Sequence, residues 1–384
     1  MHTSNNLKKL PPYLFAEIDA KKQELRKKGV DLIDLSIGDP DLPTPKHIID
    51  AICEGAHDPN NHRYPSYNGS QEFREAAAIY LKNTKNVVAD PDKEILTLIG
   101  SKEGIAHIIF ACTNPGDVVL VPSPGYPVYT SASIIAGCEV FEMPLRKDND
   151  FMPDLKAIPK DKLKKAKLIF INYPNNPTSA TATDEFYKEV VEFSIKNNLI
   201  LCHDAAYIDI AYDGYRSPSI LEFDGARDVA IEFHSLSKTY NMTGWRVGFA
   251  AGNKDILSAL GKIKTNVDSS ATAAVQHGGA VALESSQDCV KEACKVYQKR
   301  RDVLINGLNG KGWKIEPPKA TFYVWAEIPE KTDSRTFAAK IMEKTGVVIT
   351  PGVGFGIAGE GFVRFSLSYP TARIEEAVQR ISSL

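Results

Sequence analysis

Residues 235–248 read Ser235-Leu-Ser-Lys-Thr-Tyr-Asn-Met-Thr-Gly-Trp-Arg-Val-Gly248. One lysine, Lys238, stands among three hydroxyls, Ser235, Ser237 and Thr239, with Arg246 close behind. An apolar, β-prone segment runs in from Val229 to Phe233, and another runs out from Val247 to Ala251. Lys238 is therefore expected just past the end of a buried strand, where an ammonium is costly to desolvate. Desolvation lowers a lysine pKa and leaves a neutral amine able to attack a carbonyl carbon. The hydroxyls, Arg246 and Gly244 make an expected anion cup: donors, a fixed charge, and a residue that admits close backbone approach. Taken alone, the stretch reads equally well as a surface loop between two strands, so its surroundings decide.

Upstream, the pattern alternates. Apolar runs of strand length stand at Glu94–Ile99, Asp117–Val121, Lys167–Ile171 and Leu199–His203, with helix-like stretches at about 100–112, after Tyr126 and at 183–197. Such alternation predicts a mostly parallel sheet covered by helices on both faces. Ligands of such sheets gather beyond the carboxyl ends of the strands. Polar or glycine-rich loops follow those ends here, at 100–104, 122–126, 172–178, 204–207 and 235–246.

The chain ends differ in pattern. An amphipathic helix is expected within 10–28, a strand at 31–36, a turn-rich loop at 38–45, and helices at 45–57 and 71–83. A long helix over 287–309 leads to strands at 321–326, 347–350 and 361–367 and helices at 333–345 and 371–383. The expected division is an N-terminal arm with part of a small domain (1–44), a large domain (45–286), and a connector helix with the rest of the small α+β domain (287–384).

Several loop residues are chemically distinctive. Asp204 closes a buried strand, with Tyr207 three residues on; a carboxylate there suits a cationic ring nitrogen, or serves as a turn aspartate. Gly100-Ser-Lys102 opens a helix whose free N–H groups suit a phosphate, or it is an ordinary helix start. Asn176-Pro-Thr178 is a turn by composition. Arg364 lies inside the apolar strand Gly361–Ser366, where its fork suits a carboxylate ligand or a structural acid. Tyr126 follows Pro124-Gly125 and either stacks on an aromatic ring or fills a core corner. An imine-forming lysine beside a phosphate cup suggests pyridoxal phosphate.

Composition narrows the classes further. The 384 residues carry a formal net charge of -2 with both signs interspersed, which argues against nucleic acid or an anionic membrane as main partner. No apolar run is long enough to span a bilayer, and Met1–Lys9 has no signal-like apolar core, so a cytoplasmic protein is expected. The six scattered cysteines read as buried thiols of a reducing compartment. No histidine spacing supports a metal site. Neither GxGxxG after a strand, GxxxxGK[ST], nor GxSxG occurs.

In order and spacing, Tyr64 with Gly69, Ser101-Lys102, Tyr126, Asn176-Pro-Thr, Asp204 with Tyr207, Ser-Leu-Ser-Lys238, Arg246 and Arg364 resemble the class I and II aminotransferases over nearly the whole chain. The resemblance implies the fold type I architecture of pyridoxal-phosphate enzymes and a homodimer with shared active sites. It implies a Schiff base on Lys238, Asp204 on the pyridinium nitrogen, and Tyr207 and Asn176 on the ring oxygen. Ser101, Lys102, Ser235, Ser237 and Arg246 would hold the phosphate, Tyr64 would reach in from the other subunit, and Tyr126 would stack on the ring. Arg364 and Gly38 would hold the substrate α-carboxylate.

Leu10–Ile18, Ile99–Ala106, His203–Tyr207, Phe233–Trp245 and Pro317–Tyr323 are similar to the LL-diaminopimelate aminotransferase branch. That branch implies transfer of an amino group between LL-diaminopimelate and 2-oxoglutarate in lysine biosynthesis, with Tyr13, Tyr67, Lys102, Tyr126 and Asn176 near the substrate. Two positions depart. Ser179 replaces the usual glycine after Asn-Pro-Thr, and Tyr67 stands where one part of the branch has an acid. Transfer from aspartate, aromatic amino acids or alanine, a β-lyase reaction, and a non-catalytic binding role are the alternatives.

Overall fold

The computed structural model describes residues 2–11 and 14–383, so Tyr13 lies outside the described residues. Twelve strands are described: β1 (Ile33–Asp34), β2 (Ile95–Leu98), β3 (Val118–Ser123), β4 (Glu139–Pro144), β5 (Ala166–Ile171), β6 (Ile200–Asp204), β7 (Ala230–Ser235), β8 (Gly248–Gly252), β9 (Tyr323–Glu327), β10 (Val347–Val348), β11 (Thr350–Pro351) and β12 (Phe362–Ser366). Seven of them form one sheet in the order β2-β8-β7-β6-β5-β3-β4. Only β8 runs against its neighbours, β2 and β7; the other pairs are parallel.

Both faces of this sheet are covered, and the side-chain alternation shows how. Val118 and Leu120 belong to one core, while Val119 and Val121 belong to the other. Ile169 and Ile171 divide from Leu168 and Phe170 in the same way. With no solvent face, the strands need apolar residues at successive positions, so their sequences are continuous apolar runs.

β4 is the strand that the sequence reading did not assign. It is an edge strand, pairs only with β3, and fully buries one residue, Met143. A half-exposed edge strand has no need of the apolar run that marks its neighbours.

A separate core unites both ends of the chain. Ile33 and Leu35 pack with Tyr297, Phe322, Phe337, Phe365 and their neighbours. β1 pairs in parallel with β10, and β12 is the middle strand of the sheet β11-β12-β9. The single strand expected at 347–350 is two short ones, because β10 pairs with β1 while β11 pairs with β12. Likewise β1 covers only two of the residues expected at 31–36, matching its two-residue partner. The cysteines are unpaired, but only Cys202 is fully buried; Cys53 is exposed on the helix Lys46–His57 and the other four are half-buried.

Beneath β6 and β7 lies a polar cluster with every member paired. Glu232 is fully buried and accepts from Ser219 Oγ at 2.7 Å and the Ile220 N–H at 2.8 Å. His203 Nδ1 and His234 Nε2 lie 2.8 Å and 2.7 Å from its two oxygens. Burial would raise the Glu232 pKa, but His234 and His203 reverse this and hold it well below the usual carboxylate value. Replacing Glu232 by Gln breaks a buried charged network, and its expected cost is about 3–5 kcal/mol in denaturant unfolding at pH 7. A carboxylate with a depressed folded pKa contributes fully above the unfolded value of about 4.3, and the contribution fades as pH falls below it. The Glu232→Gln penalty should therefore shrink on acidification; a penalty independent of pH would contradict this account.

Candidate active site

A cavity of about 640 Å³ opens between the seven-stranded sheet and the core formed by the chain ends. The sheet supplies one wall: Asn172 beyond β5, Asp204 ending β6, Ser235 ending β7, and Arg246 just before β8. The helix Ser101–Cys112 points its first residues, Ser101 and Lys102, into the same space. Gly38, Tyr323 and Arg364 face them from the other side.

Lys238 sits on the short helix Leu236–Thr239 that follows β7. Its Nζ donates to the Gly38 carbonyl at 2.9 Å. Burial is the main cause that brings its pKa down to about 8; Asp39 opposes the shift, and Arg246 and Arg364 add to it. About a fifth of this amine is then neutral at pH 7.4, against about a thousandth for an ordinary lysine, and the neutral amine is the nucleophile. Thr239 does not join the cup expected around it. Its hydroxyl turns the other way and donates to Asp209 at 2.9 Å, in a cluster with Lys85 and Tyr80. Gly244 does not line the cavity either, whereas its neighbour Thr243 does. A one-turn helix points successive side chains in different directions, so adjacent hydroxyls diverge.

The anion cup is assembled from two distant segments. Arg246 Nη1 donates to the Thr243 carbonyl at 2.9 Å and reaches Ser237 Oγ at 3.5 Å, while its Nη2 reaches the Ile99 carbonyl at 3.3 Å. Gly100 caps the helix Ser101–Cys112 without a side chain. Its φ of +78° favours glycine, and a Cβ there, 2.4 Å from Arg246 Nη2, would push that guanidinium out of the cup. Uncapped N–H groups, a helix dipole and a guanidinium then face one space. Ser235 and Ser237, both buried, add hydroxyls nearby.

Asp204 is 4% exposed. Tyr129 OH donates to one of its oxygens at 2.7 Å and the Ala206 N–H to the other at 3.3 Å. Burial raises its pKa despite these two bonds. Among the described residues no cation pairs with it. Tyr207 shares a 2.9 Å hydrogen bond with the Tyr323 hydroxyl, and Tyr126 lines the cavity edge-on to Tyr129.

Arg364 has no acidic partner among the described residues, which leaves the structural ion pair considered from sequence without support. The side chain is 3% exposed, donates to Asn176 Oδ1 at 2.7 Å and the Ser36 carbonyl at 2.8 Å, and leaves Nε unpaired. Tyr323 and Phe355 lie against the guanidinium, 4.1 Å and 4.6 Å from their ring centres. A buried, permanently charged fork with a spare donor is a receptor for an anion. Because Asn176 presents its oxygen to Arg364, its NH₂ group is left to donate elsewhere. The Asn176-Pro-Thr turn continues through Ser179 at φ +60°, which explains why glycine is usual there. Ser179 offsets the strain by donating to the Tyr323 carbonyl at 2.9 Å.

Tyr64 is 90% exposed and Tyr67 48% exposed, and neither lines the cavity of its own chain. Sequence reasoning missed Asn172, Tyr323, Tyr129, Ser36 and Asp39. Asn172, first in the polar run after β5, was open to notice; Tyr129, inside an apolar helix, carried no signal. Near the mouth of the sheet, Glu103, His107 and Asp268 cluster as cation ligands could, but the buried Lys264 ammonium already lies 2.9 Å from Glu103 and 3.1 Å from Asp268.

These groups fit pyridoxal phosphate: an amine of lowered pKa, an anion cup, and a buried carboxylate that lacks a cation. In cofactor-free protein, reductive alkylation of Lys238, followed by peptide mass spectrometry, should reach half its limiting rate near pH 8. An ordinary lysine titrates near 10.4. Half-reaction near pH 10 would contradict the burial argument.

The comparisons with known proteins agree with this chemistry. The family described as aminotransferase class I and II matches residues 30–381. An LL-diaminopimelate aminotransferase of Moorella thermoacetica is 52% identical over 381 residues, covering 99% of this chain and 98% of that protein. Another so named, from Halothermothrix orenii, is 50% identical over 383 residues, covering 100% and 98%. A substrate-bound BacF structure from Bacillus subtilis superposes with a TM-score of 0.96 at 36% identity, covering 100% of this chain and 98% of that one. The chain belongs to the class I and II aminotransferases, pyridoxal-phosphate-dependent enzymes of fold type I.

Proposed function

We propose that this aminotransferase moves an amino group between LL-diaminopimelate, whose keto product cyclises to tetrahydrodipicolinate, and 2-oxoglutarate, in lysine biosynthesis. The observation that carries the reaction type is Lys238, buried at about pKa 8 within one cavity with the unpaired Arg364. The substrate rests on the relatives so named at 50–52% identity over whole chains.

Bound pyridoxal phosphate would supply an electron sink for the electron pair of the substrate Cα–H bond. Lys238 would hold the cofactor covalently at rest and, with its amine free, would take and give back the Cα proton as general base and acid. Its lowered pKa lets it do both near neutral pH. Ser101, Lys102, Ser235, Ser237 and Arg246 would hold the phosphate. Asp204 would keep the ring nitrogen protonated, and Tyr207 and the Asn176 amide would donate to the ring oxygen. Tyr126 would cover the ring.

Arg364, with Gly38 beside it, receives the α-carboxylate, which fixes the Cα–H bond relative to Lys238. Lys102 stands at the side-chain end of the substrate, and Tyr67, on the same loop as Tyr64 and outside the cavity of its own chain, would reach that end from the other subunit. Tyr64 acts across a homodimer interface, a reading supported by its exposure and its position outside the cavity of its own chain. The cavity then lies between a large unit at 45–286 and a small one built from 1–44 and 287–384, supported by the separate core that joins the two chain ends. A cytoplasmic location accords with the metabolic role. Among the described residues no helix is long and apolar enough to cross a membrane.

The test is single-turnover absorbance of the holoenzyme. LL-diaminopimelate should convert the lysine-bound cofactor band to that of the amino form, and 2-oxoglutarate should restore it. Aspartate, alanine and phenylalanine should be slower by two orders of magnitude or so, since loss of built polar contacts discriminates strongly. Faster conversion by one of these three would move the substrate assignment to it. Release of pyruvate and ammonia without a keto acid would indicate a lyase. Lys238→Ala should abolish both the lysine-bound band and transamination; retention of either removes the assigned role.

A further inference from the structure

One chain of polar contacts leads from the cavity rim to Arg364. The helix Leu14–Lys27 borders the cavity through Ile18, Asp19 and Lys22. The Lys22 side chain is 7% exposed, and its ammonium lies 2.5 Å from Asp19 and 2.9 Å from Asp34. The other Asp34 oxygen accepts from the Ser36 N–H at 3.1 Å and the Ser36 hydroxyl at 2.5 Å. The Ser36 carbonyl then accepts from Arg364 at 2.8 Å and from the Thr350 hydroxyl at 3.1 Å.

Among the described residues, the helix packs Ile18 and Leu25 on Leu32, Met342 and Val348, a small cluster apart from the three larger cores, and two surface ion pairs, Lys21–Glu343 at 3.1 Å and Glu17–Arg335 at 3.5 Å, tie it to the helix Ser334–Thr345. Asp34, 5% exposed at its side chain, has Lys22 as its one cationic partner among the described residues. Without that cation a buried carboxylate is uncompensated, and the geometry it imposes on Ser36 is lost.

We propose that Lys22 is a positioning residue for the carboxylate receptor: through Asp34 and Ser36 it holds Arg364, and it couples seating of the helix Leu14–Lys27 to occupation of Arg364. This rests on the reading that Arg364 receives the substrate α-carboxylate. Coupling of two binding equilibria is reciprocal. If the seated helix favours carboxylate binding, a carboxylate must favour the seated helix.

The experiment uses holoenzyme in two measurements. Steady-state kinetics follow LL-diaminopimelate and 2-oxoglutarate. Amide hydrogen exchange over residues 17–27 is read with and without succinate, an unreactive dicarboxylate. Lys22→Met should raise both KM values about tenfold with kcat nearly unchanged, a factor usual for coupled sites. Succinate should slow exchange over 17–27 in the natural protein and not in Lys22→Met, and Lys22→Arg should recover both effects. Unchanged KM values, or equal protection by succinate in both proteins, would show that Lys22 only tethers the helix and would overturn the proposal.

Arg364→Lys separates the two readings. If it leaves KM unchanged, the carboxylate assignment fails. If it raises KM while Lys22→Met does not, the coupling alone fails. Should Lys22→Met not fold, Ser36→Ala removes the hydroxyl contact to Asp34 and keeps the Lys22–Asp34 pair. A raised KM there supports the relay, and an unchanged KM overturns it.

Discussion

Desolvation of three charged groups at one end of a sheet is the constraint on which the rest of this structure depends. Arg364 and Asp204 are removed from water, Lys238 is half-buried with its amine desolvated, and none has an ion-pair partner of its own among the described residues. The three groups respond differently because their chemistry differs. A lysine can lose its proton, and Lys238 has moved toward doing so. Arginine cannot, so Arg364 remains a cation held by carbonyl and amide oxygens and aromatic faces. Asp204 is left with a hydroxyl and one N–H. What each group would pair with describes the ligands that suit the site: a carbonyl carbon, a carboxylate and a cationic ring.

The scaffold behind the site contrasts with it. Glu232, His203 and His234 satisfy one another beneath β6 and β7. Asp209, Lys85, Tyr80 and Thr239 do the same beneath the Lys238 helix. Fully satisfied buried networks are stiff, and they hold the strands whose ends carry Asp204 and Lys238. Within these two clusters the charged groups are met by protein partners, whereas in the cavity Arg364 Nε is left without one.

Close approach is the second constraint. Gly38 brings its carbonyl to Lys238 because a Cβ there would lie 2.1 Å from the Tyr323 hydroxyl. Ser179 accepts a left-handed backbone and gains a bond to the strand that carries Tyr323. Both positions join segments from opposite walls of the cavity. Ser36 works within one wall, where its carbonyl links the N-terminal segment to Arg364 on β12.

The seven-stranded sheet was legible wherever strands were buried on both faces, because such strands must be apolar at every position. Edge strand β4 escaped because half its surface meets water. Lys238, Asp204 and Arg364 stood out as charged residues at the ends or middles of apolar runs, where local sequence already shows a cost; Asn176 lay in a turn. The sequence by itself therefore determined the α/β class, the loops that face the ligand and the side chains whose burial is expensive. Only the tertiary structure decided the partners. It turned Thr239 away from the cup toward Asp209, brought Tyr129 to Asp204, and joined Lys22 to Arg364 through Asp34 and Ser36. Burial is a property that a run of neighbouring residues already implies, whereas a hydrogen-bond partner is set by residues hundreds of positions away and by the direction in which each side chain leaves its backbone.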